Sequence, residues 1–150
     1  MTGYWLIDSN VLVSAFNEAE EQHSDSKALL ELADTGDLDA CIAQQNILEF
    51  IATVTSSKRV EKPISIELAQ RAVNQYASFL KVISPKDTTI WDFLSILNEV
   101  EVIRERIFDV YLAATALSNG ITQICTWNVK HLGKISRLKV RTPKQILLKI

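Results

Sequence analysis

An α/β fold, with a central and mostly parallel sheet of four to five strands covered by helices, is the architecture this sequence predicts, on three observations. Short apolar runs alternate with longer segments of helical periodicity, the pattern of parallel strands joined by helical crossovers. Capping residues, glycines and prolines stand at the junctions between them. With 150 residues, 47% of them apolar, the chain has material for one well-buried core and is too short to favour two domains, so residues 1–150 are expected to form a single domain.

The elements follow in order. Strands are predicted near 4–8, 39–43, 81–84, 121–126 and 138–141, each an apolar run bounded by polar or turn residues. The first helix starts just after Asp8, where Ser9 or Asn10 can cap it. The second runs from about Asp25 to Thr35, burying Leu29, Leu30, Leu32 and Ala33 and stopping at Gly36. A third covers about 45–57. A fourth covers about 65–79 after Pro63, with Leu68, Ala72, Tyr76 and Phe79 on one face. Helices near 88–101 and 105–118 follow, the latter closing at Asn119-Gly120, and a short terminal helix opens at Pro143. Between the third and fourth helices, Ser56 to Pro63 carries four charges and a proline and reads as a mobile surface loop.

Composition excludes several classes. No stretch approaches the roughly 20 apolar residues of a membrane span, and the N-terminus lacks a basic region followed by an apolar run, so a soluble cytoplasmic protein is expected. Cys41 and Cys125 stand alone in apolar runs, without a Cys-x-x-Cys pair, and are expected to be reduced core residues. The only glycines are Gly3, Gly36, Gly120 and Gly133, which rules out P-loop and dinucleotide fingerprints. The net charge of −2 conceals an asymmetry: residues 1–109 hold all 18 acids, whereas residues 110–150 hold no acid and seven bases, Lys130, Lys134, Arg137, Lys139, Arg141, Lys144 and Lys149. Such a segment can hold a polyanion beside an acidic site, or serve simply as a solvated basic face.

Three acids are set in apolar sequence. Asp8 ends Tyr4-Trp5-Leu6-Ile7, Glu49 lies within Asn46-Ile47-Leu48-Glu49-Phe50-Ile51, and Asp109 lies within Ile107-Phe108-Asp109-Val110-Tyr111-Leu112. Carboxylates are rarely buried without compensation. Gathered together, each pair would repel by roughly 4 kcal/mol at 4 Å and an effective dielectric near 20, a penalty that a divalent cation turns into attraction. Ligands of open α/β sheets bind at the carboxyl ends of the strands, where Asp8 and the Thr126–Asn128 turn are expected. Each acid also has an ordinary explanation. Asp8 can be a helix N-cap, Asp109 can complement a helix macrodipole, and Glu49 can belong to a solvated stripe of Gln45, Thr53 and Ser56. Asn128, in Thr126-Trp127-Asn128-Val129-Lys130-His131-Leu132, can be a plain turn residue. His23 reads as surface, and His131 is not assigned as a general base.

In these four segments, in this order and spread over nearly the whole length, the chain resembles the PIN-domain ribonucleases, and within them the VapC-like toxins of bacterial and archaeal toxin–antitoxin pairs. The resemblance implies a Rossmann-like, three-layer α/β/α sandwich, Mg²⁺ or Mn²⁺ held by the acidic cluster, and hydrolysis of RNA phosphodiester bonds. It implies Asp8 and Asp109 as the main metal contacts, with Glu49 ligating the metal or orienting the attacking water. Asn128 and Thr126, with Asn10, would position waters or the scissile phosphate, and Lys130 with the basic segment would hold flanking phosphates. The chain departs from the family at Asn128, where the fourth acidic position is often Asp. A small antitoxin whose C-terminal segment fills the acidic cleft, and a homodimer built on apolar residues of the helices near 25–35 and 45–57, are further implications. Two rivals are a haloacid dehalogenase-like phosphohydrolase, whose chemistry wants a second acid where this chain has Asn10, and a catalytically inactive RNA-binding or scaffold module.

Overall fold

Each of the five apolar runs forms a strand. The computed structural model describes residue 1, residues 3–101 and residues 106–150. Along the chain it places β1 (Trp5–Ile7), α1 (Ser9–Phe16), α2 (His23–Thr35), β2 (Ala40–Ala43), α3 (Gln44–Val54), α4 (Ile66–Ala77) and β3 (Lys81–Ile83). α5 (Thr89–Glu99), α6 (Ile107–Ser118), β4 (Gln123–Cys125), α7 (Val129–Leu132), β5 (Lys139–Arg141) and α8 (Pro143–Leu147) follow. The strands form one parallel sheet in the order β3-β2-β1-β4-β5, with Leu6 opposite Cys41 on one side and Ile124 on the other. Of the expected helix near 105–118, the start falls outside the described residues.

Why the strands read as unbroken apolar runs is plain from their packing: a parallel sheet is covered on both faces. Trp5 and Ile7 enter one core with helices α1 to α4 and α8, while Leu6 between them enters a second core with α5, α6 and α7. Ala40 and Ile42 join the first core, Cys41 and Ala43 the second. The two cores flank the sheet, which gives the three-layer α/β/α sandwich. Both cysteines are free and buried, and burial pushes the Cys41 thiol up to about 12, so neither is a ready nucleophile.

Local signals explain the ends. Gly36 takes φ 85°, and Asp37 N donates to Leu32 O at 2.8 Å, closing α2 in the left-handed conformation that glycine adopts without strain. Thr142 and Gln145 cap α8 reciprocally around Pro143.

Five expectations need correction. Asp8, not Ser9 or Asn10, occupies the N-cap of α1. On α2, Leu32 is only half-buried, and Ser26 takes a place in the core beside Leu29, Leu30 and Ala33. On α4, Leu68 is 47% exposed and Ala69 is buried instead, because α4 packs closely on the first core and the small side chain fits there. The Ser56–Pro63 segment is pinned rather than loose: Val60 N donates to Ser56 O at 3.0 Å and Val60 is buried. His23 is half-buried, with Nδ1 2.9 Å from Ser14 O, so it clasps the start of α2 to α1.

Candidate active site

β1 delivers Asp8 to the carboxyl end of the sheet, where its backbone N–H still pairs with Cys125 O at 2.9 Å. The side chain is 6% exposed and is met by donors on all sides. Oδ1 accepts from Ser9 N at 2.7 Å and Asn46 Nδ2 at 3.4 Å; Oδ2 accepts from Thr126 Oγ1 at 2.8 Å. Thr126, itself buried, accepts in turn from Asn10 Nδ2 at 3.0 Å and Asn128 N at 3.1 Å, and Asn10 Oδ1 accepts from Trp127 N at 3.1 Å. A fixed acceptor with its donors already arranged is rigid without being neutralised. Asn10 and Thr126 therefore hold Asp8 and the β4–α7 turn together, and the Thr126 hydroxyl hydrogen is directed at the carboxylate rather than outward.

Asn46 was not among the residues the sequence pointed to. It is buried, accepts from Ala43 N at 2.8 Å at the start of α3, and turns its amide nitrogen to Asp8. The available signal was its spacing: it lies three residues before Glu49, on the same side of α3. Gln45 also links elements, donating through Nε2 to Phe108 O at 2.9 Å and so tying the start of α3 to the first turn of α6, next to Asp109.

The electrostatics join the three acids. Burial raises the Asp8 carboxyl above its ordinary value, opposed by the bonds from Thr126 and Ser9, and the charge of Asp109 raises it further. Glu49 is pushed up to about 7, first by burial and then by the charge of Asp8; the Gln45 amide opposes this, Asp109 adds to it, and Arg59 opposes it. Its Oε1 is buried with no hydrogen-bond partner among the described residues. Asp109, in the first turn of α6, lies 3.6 Å from Arg106 Nη1. Among the described residues, no three His, Cys, Asp or Glu side chains close into a ready-made metal cage. The acids instead share a field around an all-oxygen donor set with one orphaned carboxylate oxygen. That suits a hard divalent cation, of which Mg²⁺ needs only one or two direct carboxylates and keeps several waters.

The fourth segment sits at the rim. Asn128 is exposed at the N-cap position of α7, with no side-chain capping bond, and Lys130 is exposed two residues on. The four-residue helix α7 replaces the plain turn expected here. The basic segment does not form one surface: Arg137 pairs with Glu99 at 3.3 Å, and Lys139 lies over the Trp5 ring at the amino end of the sheet, away from Asp8. Lys134 lines the same cavity as Asp109.

With this geometry, a family comparison decides the lineage: the PIN domain model matches residues 5–133. The chain belongs to the PIN-domain family. Among PIN relatives, a VapC ribonuclease of Mycobacterium bovis and ribonuclease VapC43 of Mycobacterium tuberculosis are each 27% identical over 139 residues, 91% of this chain and 93% of theirs. Solved PIN structures superpose over most of the chain. The DNA-bound VapBC of Salmonella typhimurium matches with a TM-score of 0.69 at 18% identity, covering 95% of this chain and 99% of that one. Mycobacterium tuberculosis VapC20, described as a sarcin-ricin loop cleaving toxin, matches with a TM-score of 0.59 at 13% identity, covering 85% and 92%. These likenesses show that the chain shares its fold with those structures over most of its length.

Proposed function

We propose that this PIN-domain protein is an endoribonuclease that hydrolyses RNA phosphodiester bonds with Mg²⁺ or Mn²⁺, and that it is the toxin of a toxin–antitoxin pair. One observation carries the reading: Asp8, buried and donor-fixed at the end of β1, shares its field with Glu49 and Asp109, and Glu49 Oε1 has no partner. Asp8, Asp109 and Glu49 would hold the cation. A divalent ion there lowers the pKa of a nearby water and polarises the phosphoryl oxygens. Ser9, Asn46 and Thr126 keep Asp8 in place, and Glu49 would either ligate the ion directly or orient the attacking water. Asn128 and Lys130, exposed at the rim, meet the scissile phosphate and its neighbour. Residues 1–150 act as one nuclease domain in this account, working on RNA in the cytoplasm; among the described residues no helix is long and apolar enough to cross a membrane.

Incubation of the purified protein with single-stranded RNA tests the reading. Cleavage is expected in Mg²⁺ or Mn²⁺ and absent in EDTA; equal cleavage in EDTA would remove the metal from the account. Hydrolysis of p-nitrophenyl phosphate without action on RNA would favour the dehalogenase-like rival, which Asn10 disfavours because its amide is tied to Thr126 and Trp127. RNA binding without cleavage would favour the scaffold.

The partner proposals rest on the relatives. Several of the solved neighbours are VapBC toxin–antitoxin complexes, which supports a small antitoxin whose C-terminal segment fills the acidic cleft here. A second copy of the chain is proposed as the cover of a different surface from the one expected. α2 exposes no large apolar side chain and α3 only Leu48, whereas α5 exposes Ile90, Leu94 and Trp91, the last at 68%, beside the edge strand β3 with Val82. Sedimentation at micromolar concentration should show a dimer that Trp91→Glu converts to monomer. A wild-type monomer would end this part of the proposal.

A further inference from the structure

A cavity of about 150 Å³ opens on the α6–α7 side of Asp109, which forms part of its lining. Its floor is apolar, formed by Leu132 and Ile135, both buried, and its walls include Arg106, His131, Lys134 and Glu101. The volume is room for a phosphate group and its nearest solvent. Arg106 Nε is buried there with no hydrogen-bond partner among the described residues, while Nη1 reaches Asp109 only at 3.6 Å. A buried guanidinium N–H without an acceptor is a costly vacancy, and the group is built to grip a phosphate.

We propose that this cavity is a phosphate subsite, in which Arg106, Lys134 and His131 take the phosphate of a nucleotide flanking the bond that is cut. The proposal rests on the ribonuclease reading of the neighbouring acids. Among the described residues the cavity's fixed charges are Arg106 and Lys134 against Glu101 and Asp109. With Asp109 serving a cation, Arg106 would be released from it, and of these charges two positive ones would face the carboxylate of Glu101. His131, half-buried on α7, supplies a ring N–H to the same space. The subsite is separate from Lys130, which does not line the cavity.

The test is RNA binding, read apart from cleavage. Affinity of the non-cleaving Asp8→Asn protein for a single-stranded RNA oligonucleotide is measured by fluorescence anisotropy over a range of salt concentrations, with Mg²⁺ high enough to saturate its weakened cation site. Each phosphate neutralised contributes about 0.7 to the slope of log K against log salt for single strands. Adding Lys134→Gln or Arg106→Gln should lower the slope by up to about 0.7 and weaken low-salt binding by up to about fivefold. The double variant should go no further, since both groups serve one phosphate. Lys27→Gln, on α2 across the sheet, should leave the slope unchanged. Lys134 is exposed, so its variant does not depend on tolerance of a buried change. Unchanged slopes in both site variants, an equal fall in Lys27→Gln, or no RNA binding at all would overturn the subsite. If the slopes fall as expected while the wild-type protein cleaves nothing in Mg²⁺, the subsite stands and the ribonuclease reading fails; cleavage with unchanged slopes gives the reverse.

Discussion

Asp8→Asn should reduce Mg²⁺-dependent RNA cleavage by on the order of 10³-fold, about 4 kcal/mol of transition-state stabilisation, with the fold intact. The substitution keeps the shape that Ser9 N, Asn46 Nδ2 and Thr126 Oγ1 surround, removes the charge, and puts an NH2 donor where one carboxylate oxygen had accepted, at the cost of about one hydrogen bond. That charge is held in a buried site against desolvation and the repulsion of Asp109. In EDTA the variant should melt close to the wild-type temperature, the relief of buried charge offsetting the lost hydrogen bond, while its activity is gone. Asp109→Asn should lose activity likewise but leave metal-free stability nearly unchanged, because Asp109 is half-exposed and its ion pair with Arg106 spans 3.6 Å. Circular dichroism and a cleavage time course check both. Retained cleavage in either variant would contradict the assigned roles.

Glu49→Gln should separate function from stability through pH. The Glu49 carboxyl, raised from 4.5 to about 7 in the folded chain, binds its proton more tightly folded than unfolded. It therefore favours the folded state below about pH 4.5, and that contribution is lost as the pH rises through about 7. Metal-free wild-type protein should become less stable across that window, and added Mn²⁺ should restore it, since a cation replaces the missing counter-charge. Glu49→Gln should flatten the decline and melt higher than wild type at pH 8, by roughly 2–4 °C for each kcal/mol recovered. The decline should not vanish, because Asp8 is raised in the same direction. Glu49 keeps partial access to solvent, which limits the effect. Thermal unfolding in EDTA at several pH values, with cleavage assayed in parallel, gives the answer; an unchanged pH slope in the variant would remove Glu49 from the shared field.

Much of the scaffold was legible because a strand buried on both faces has no room for a polar residue. Trp5-Leu6-Ile7 and Ala40-Cys41-Ile42-Ala43 read as unbroken apolar runs, and the residue that ends the first run is Asp8. What escaped was settled by tertiary packing. Positions 68, 72, 76 and 79 and positions 69, 72 and 76 both fit a helical period, and only the close approach of α4 selects Ala69 over Leu68 for the core. α7 spans four residues, too few for a periodic pattern to register. Asn46 looks like an ordinary polar residue in the sequence, and its importance comes from Asp8, 38 positions earlier, arriving beside it. Thr126 likewise gave no sign of which way its hydroxyl turns; Asp8 and Asn10 fix that from across the β1–β4 pairing. The exposed face of α5 was missed because a helix pattern does not tell which of its sides the sheet will cover.

A calorimetric titration of Mn²⁺ into the wild-type, Asp8→Asn and Asp109→Asn proteins measures whether acids from β1 and α6 serve one ion. Binding in the wild type, weakened by at least about tenfold (1.4 kcal/mol) in each variant, is the expected result. Wild-type affinity in either variant would show that the two carboxylates do not share a cation.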